Sequence, residues 1–217
     1  MAHRLVEQAL EEYSENFTSP ENAVLAALNR ETNIKVQMPV MLSGHLQGAV
    51  LQMISHMIAP KYILEVGTYT GYSAICLAAG LKEGGALHTI DINEELESMC
   101  SRYFREAGVA DKIIQHVGNA ADIIPKLDHN FDLVFIDADK QNYHLYYDLV
   151  FDKVPLGGFI LADNVLYDGE VILAPDKQSK NAKAISAFNE KVKADKKVEH
   201  VLLPVRDGIM LMRKIAM

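Results

Sequence analysis

The sequence predicts an α/β protein built on a doubly wound, mostly parallel sheet of seven strands, with an antiparallel hairpin at its C-terminal edge. Three observations carry this. From Pro60 onward, short apolar runs alternate with stretches of helical period, the rhythm of βαβ units. Several of those runs, such as Leu133–Ile136, are apolar at every position, which suits strands buried on both faces of a parallel sheet. The last two runs, residues 198–204 and 209–214, are separated only by Val205, Arg206, Asp207 and Gly208. So short a connection joins antiparallel neighbours.

Taken in order, residues 3–16 read as a helix, with Leu5, Val6, Ala9, Leu10 and Tyr13 spaced three to four apart. A second helix begins at Ser19 and Pro20, a capping residue followed by one suited to the first turn, and reaches about Arg30. Residues 32–43 have no period and read as a loop crossing the face of the main body. Residues 44–59 form a third helix, with Leu46, Val50, Met53, Ile54, Met57 and Ile58 on one apolar stripe. Strands follow at 62–66, 86–92, 113–117, 131–136 and 158–162. Helices lie between them at 72–81, 94–107, 119–127 and 143–151, and a last helix covers 181–193 before the hairpin.

The chain has 217 residues, with 29 Asp+Glu against 21 Lys+Arg and a formal charge of −8. That length suits one domain, here N-terminal helices and a covering loop (1–43) followed by a catalytic core (44–217). The acidic balance argues against a nucleic-acid binder, and no apolar run reaches the roughly 20 residues that span a bilayer. Cys76 and Cys100 share no metal or redox spacing and read as reduced core thiols, which predicts a cytoplasmic protein.

In a sheet of this kind, ligands bind beyond the carboxyl ends of the strands. The first strand ends Glu65-Val-Gly67-Thr68-Tyr69-Thr-Gly71-Tyr-Ser73. Gly67 and Gly71 permit a tight strand-to-helix turn and close approach by a ligand. The dinucleotide fingerprint needs a further glycine that this loop lacks. Glu65 stands where a pyrophosphate would otherwise sit; it repels phosphate and attracts an ammonium or sulfonium. Asp91 closes the second strand, where an acid takes the hydroxyls of a bound ribose. A nucleoside that is cationic and has no phosphate is S-adenosylmethionine, and Gly118, Asn119 and Ala120 would then lie against its adenine.

The run Glu-x-Gly-x-x-x-Gly-Tyr-Ser followed by an acid resembles the cation-dependent O-methyltransferases, the family of catechol and caffeoyl-CoA O-methyltransferases. The resemblance covers about residues 36–215. It implies a Rossmann-like methyltransferase fold and a cofactor site of Gly67, Thr68, Tyr69, Asp91, Ala120 and Asp137, with Ser43, Glu65 and Ser73 at the methionine end. Residues 41–48 are similar to the family's cofactor-covering segment.

The fourth strand ends at Asp137, with Asp139 and Lys140 just beyond, and the fifth ends at Asp163 and Asn164. If these strands are adjacent, Asp137, Asp163 and Asn164 converge, and three hard oxygen ligands suit Mg²⁺, Ca²⁺ or Mn²⁺. Asp139 is better placed to cap the next helix. The pattern resembles the family's cation site, which implies magnesium, a small aromatic acceptor with vicinal hydroxyls, catalytic roles for Asp137 and Asn164, Lys140 as general base, and a homodimer.

Other readings compete. The βαβ start and Asp91 would serve a NAD-dependent dehydrogenase, against which Glu65 and the missing glycine count. An apolar strand followed by Asp137-Ala-Asp139 is similar to haloacid-dehalogenase-type phosphatases, although Lys140 follows and three βα units come first. A non-catalytic cofactor-binding relative is a third. Arg206 departs from the Gly-Asp-Gly usual in the family here, and reads as a turn residue or as a contact to substrate or a neighbouring chain. The lysines at 177, 180, 183, 191, 193, 196 and 197 read as a solvated face, or as a dock for a coenzyme A phosphate. The eight histidines show no ligand spacing.

Overall fold

The computed structural model describes residues 8–217. Seven strands form one sheet: β1 (Tyr62–Val66), β2 (Ala86–Asp91), β3 (Ile113–Val117), β4 (Leu133–Ile136), β5 (Phe159–Asp163), β6 (Val198–Leu203) and β7 (Ile209–Lys214), in the order β3-β2-β1-β4-β5-β7-β6. The first five are mutually parallel; β7 runs antiparallel to both β5 and β6. The hairpin therefore enters through its second strand and leaves β6 at the edge. The strand order reverses between β1 and β4, so the crevice of a doubly wound sheet opens beside their tips.

Helices cover both faces, which explains the uninterrupted apolar strands. Leu64, Val66, Val134 and Ile136 pack on one face with Tyr143, Tyr147 and Val150 of α7 (Tyr143–Phe151) and Phe188 and Val192 of α8 (Lys180–Ala194). Ile63, Leu133 and Phe135 pack on the other with α2 (Ala23–Lys35), α3 (Gly44–Ile58), α4 (Tyr72–Ala78) and α5 (Glu97–Glu106). The helix α1 (Gln8–Asn16) precedes these, and the short α6 (Ala120–Ile123) follows β3. Residues 3–7 of the first predicted helix lie outside the described residues.

Three local expectations are corrected. The cap of α2 is Asn22, whose Oδ1 accepts from the Leu25 N–H at 2.8 Å, not Ser19. That helix also runs on to Lys35, because Thr32 is buried and bonds the Thr70 hydroxyl at 3.2 Å; tertiary burial overrides the missing period. On α3 the buried face is Gln47, Gly48, Leu51, Ile54 and Ser55, while Met53 and Met57 are exposed. Gly48 and Gln47 are invisible to a search for apolar spacing. Both cysteines are free and buried, as expected, and burial pushes the Cys100 thiol up to about 12. No described helix is long and apolar enough to cross a membrane.

Candidate active site

The loop after β1 is shaped by Gly67. Its φ is +106°, and a Cβ there would lie 1.8 Å from the carbonyl oxygen of Asp137. Only glycine permits that approach, which presses the glycine loop against the first residue beyond β4. Gly71, at φ +89°, opens α4 in the same way against the Phe104 ring.

Glu65 lies on the face of the sheet that carries α2 to α5 and is fully buried. Its Oε2 accepts from the Thr89 hydroxyl at 2.5 Å, and Thr89 in turn meets the Thr68 hydroxyl at 2.5 Å. Its Oε1 is buried without a partner. Burial pushes the carboxyl from 4.5 to about 8; the Ser73 and Thr89 hydroxyls pull it back, and the charges of Asp137 and Asp91 add to the rise. A carboxyl in this state is an acceptor short of a cation. Ser73 is buried at the start of α4 close by.

At the tip of β2, Asp91 accepts the Tyr69 N–H through Oδ2 at 2.7 Å and the Asn93 N–H through Oδ1 at 2.9 Å. It thereby ties the glycine loop to the loop after β2. Each oxygen keeps a second lone pair for a ligand hydroxyl. Thr68, Tyr69, Asp91, Gln115 and His116 line a small cleft here. Ala120 is buried at the start of α6, behind Asn119, whose Oδ1 caps the Ala121 N–H. Tyr69 also donates through its hydroxyl to the Gln37 carbonyl at 3.0 Å, which draws the covering segment over the loop.

β4 and β5 are adjacent, as the convergence of Asp137 with Asp163 requires. Lys140 Nζ donates to Asp137 Oδ1 at 2.9 Å and to the Tyr143 hydroxyl at 2.8 Å, and that hydroxyl donates to the Asp163 carbonyl at 3.0 Å. Burial alone would lower the Lys140 pKa, but Tyr143 and Asp137 outweigh it and hold the amine charged. Asp163 is buried; its Oδ1 accepts from the Asn164 N–H at 2.8 Å and its Oδ2 from Gln47 Nε2 at 2.5 Å. Burial, then the nearby Asp137 charge, raise its carboxyl well above the usual range. Asn164 has φ +56°, a conformation asparagine tolerates better than most residues.

Asp139 does not cap the following turn. It accepts from Asn142 Nδ2 at 2.6 Å and from the Tyr146 hydroxyl at 2.5 Å instead. Two residues escaped the sequence reading. Gln47 and Tyr143 carry no motif; they are found only because α3 and α7 begin beside the same strand tips. Among the described residues, no three His, Cys, Asp or Glu side chains form a group able to hold a metal. The oxygen set is two carboxylates and one amide. Its chemistry fits a hard divalent cation, since the Asp163 carboxyl is raised by the nearby Asp137 charge and a single half-buried lysine, bonded to Asp137, stands beside the two acids.

A model of the O-methyltransferase family matches residues 12–215. The chain belongs to that family. Caffeoyl-CoA O-methyltransferase 1 of Eucalyptus globulus is 34% identical over 197 residues, 86% of this chain and 80% of that protein. Caffeoyl-CoA O-methyltransferase 1 of Zea mays is 35% identical, over 86% and 76%. Among solved structures, the O-methyltransferase TomG from Streptomyces achromogenes, involved in tomaymycin synthesis and in complex with SAM, superposes with a TM-score of 0.89 at 28% identity. It covers 98% of this chain and 100% of that one. The SAH-bound methyltransferase PaMTH1 of Podospora anserina gives 0.87 at 26% identity, over 95% and 94%. The family resemblance and the Rossmann-like methyltransferase fold expected from the sequence are thus borne out, and the dehydrogenase reading finds no support.

Proposed function

We propose that the chain is a single methyltransferase domain that transfers a methyl group from S-adenosylmethionine to a hydroxyl of a small aromatic acceptor with vicinal hydroxyls, assisted by a divalent cation, magnesium foremost. The observation that supports this most is the contact of Gly67 with the Asp137 carbonyl. It makes the glycine loop and the carboxylate–lysine group one site rather than two.

In this reading the partnerless oxygen of Glu65 accepts from the methionine ammonium, Ser43 and Ser73 serve its carboxylate, and Asp91 takes the ribose hydroxyls. Gly67, Thr68 and Tyr69 line the methionine and ribose path, and Ala120 backs the adenine. Asp137, Asp163 and Asn164 would hold the cation, with Asp137 also bordering the cofactor. The cation, when bound, stabilises a phenolate whose parent pKa is near 10 and fixes its oxygen for attack. Asp137 and Asn164 orient the acceptor, which lowers the entropic cost of meeting the methyl group. Lys140 is the general base. Held charged by Tyr143 and Asp137, it loses its anionic partner once Asp137 is engaged elsewhere, and its burial then favours the neutral amine that takes the acceptor's proton.

The lysines at 177, 180, 183, 193, 196 and 197 are exposed and Lys191 pairs with Asp148 at 2.5 Å, consistent with a solvated face. Exposed Leu10, Tyr13, Met53 and Met57 on α1 and α3 support a homodimer, and the two free thiols support a cytoplasmic setting.

Isothermal titration with S-adenosylhomocysteine and, in parallel, NAD⁺, each with and without Mg²⁺, tests the cofactor. Binding of the homocysteine compound alone is expected; binding of NAD⁺ alone would overturn the reading. Methyl transfer to catechol, lost on adding chelator and restored by Mg²⁺, is the expected sign of cation dependence.

A further inference from the structure

Arg206 lies in the tight β6–β7 turn at φ +49°, a conformation that favours glycine. The turn is rigidly mounted. Its Val205 carbonyl accepts from the Gly208 N–H at 2.9 Å. The carbonyls of Asp207 and Gly208 accept from Leu166 and Val165, at 2.9 and 3.1 Å. A Cβ on Gly208 would meet the Leu166 side chain at 2.6 Å, so the turn packs directly against that residue.

From this mount the guanidinium crosses to the covering segment. Its Nη1 donates to the Leu42 carbonyl at 2.8 Å and to the Ser43 carbonyl, and reaches Gln47 Oε1 at 3.4 Å. Among the described residues no carboxylate forms an ion pair with it. A cation beside a helix N-terminus works against the helix dipole, so these contacts, not the general field, hold it there. Gln47 continues the chain of contacts, since its Nε2 donates to Asp163 Oδ2. An arginine in a strained turn conformation is thus joined, through one buried glutamine, to the strand-end carboxylate.

We propose that Arg206 and Gln47 act as one positioning relay. Arg206 pins the start of α3, and with it Ser43, over the methionine end of the cofactor; Gln47, held at the same point, sets the orientation of the Asp163 carboxylate. The proposal rests on the cofactor reading above for its consequence, not for its geometry. Neither residue touches the reacting atoms.

The test is a double-mutant cycle of Arg206→Gly and Gln47→Leu, read by titration of S-adenosylhomocysteine and by amide hydrogen exchange. Each single variant is expected to weaken binding about tenfold, through the loosened start of α3 that Arg206 and Gln47 hold together and not through Asp163, the size of a lost hydrogen bond to a charged or buried group. The double variant should be little worse than the weaker single, because one relay is broken twice. Exchange should quicken at residues 42–47 in Arg206→Gly and stay unchanged in β7. Multiplying effects, or unchanged binding in Arg206→Gly, would overturn the relay, as would exchange that rises evenly over the chain. If Arg206→Gly does not fold, Arg206→Lys carries the same comparison with a smaller loss. Should the wild-type chain fail to bind the ligand, the cofactor reading falls, and the exchange at residues 42–47 still decides whether Arg206 pins them.

Discussion

The tips of β1 and β2 and the tips of β4 and β5 are built on opposite principles. At β1, the acid is fully buried among hydroxyls, holds one oxygen without a partner, and forms no ion pair with a lysine or arginine among the described residues. At β4 and β5, each acid already has a side-chain partner: Asp137 accepts from Lys140 and Asp163 from Gln47, with Tyr143 bridging from Lys140 to the Asp163 carbonyl. On the proposed reading, the first end waits for a cation brought by its ligand. The second arrives with one of its own and must exchange partners to change state. Equal numbers of carboxylates thus give different chemistry according to what compensates them.

The largest break in this comparison is predicted for Gly67→Ala, which joins both ends. The positive φ and the clash with the Asp137 carbonyl should cost about 3 kcal/mol or more, read as a fall in the urea midpoint, and should weaken cofactor binding along with it. Asp163→Ala should separate the ends. Binding of S-adenosylhomocysteine stays close to wild type, while Mg²⁺-dependent turnover drops by at least about a hundredfold. Full activity of that variant with chelator present would sink the metal assignment.

Glu65→Gln should do the reverse. The charge is lost, cofactor binding weakens by about ten- to a hundredfold, and the Mg²⁺ concentration for half-activation stays unchanged. Unchanged cofactor affinity would count against the charge complementarity.

Glu65 also makes a pH signature. In the folded chain it keeps its proton up to about pH 8, whereas its ordinary value is 4.5. Its contribution to stability is therefore fully present below pH 4.5 and is lost as pH rises through 8. Cofactor binding, which on the proposed reading needs the ionised form, should strengthen over the same window and release a proton into the buffer. Calorimetry in buffers of different ionisation enthalpy reads that proton, and Glu65→Gln should abolish it. The smallest effect falls far from both ends. Asn22→Ala removes the α2 cap and should cost about 1 kcal/mol of stability, leaving both binding constants alone.

The placement of much of the candidate site was legible because it sits where topology demands. Alternating apolar runs specify a doubly wound sheet, and such a sheet puts Glu65, Asp91, Asp137 and Asp163 at strand ends whatever the details of packing. Residue chemistry then separates a phosphate site from a cationic one, since the sign of a charge needs no coordinates. Helix ends were less legible. Ser19 and Asn22 are both competent caps in sequence, and the burial of Thr32 decided where α2 stops.

What only the tertiary structure decided are the partnerships across the sheet. Asp139 looks like a cap and binds a tyrosine and an asparagine; Arg206 looks like a turn residue and reaches carbonyls 163 and 164 residues earlier in the chain. The sequence by itself determined which strands end in acids and which loop bends on glycine, because periodicity and backbone freedom are local. It could not determine which buried acid is compensated, because burial and hydrogen-bond partners belong to the packed whole, and those set the charge on Glu65, Lys140 and Asp163.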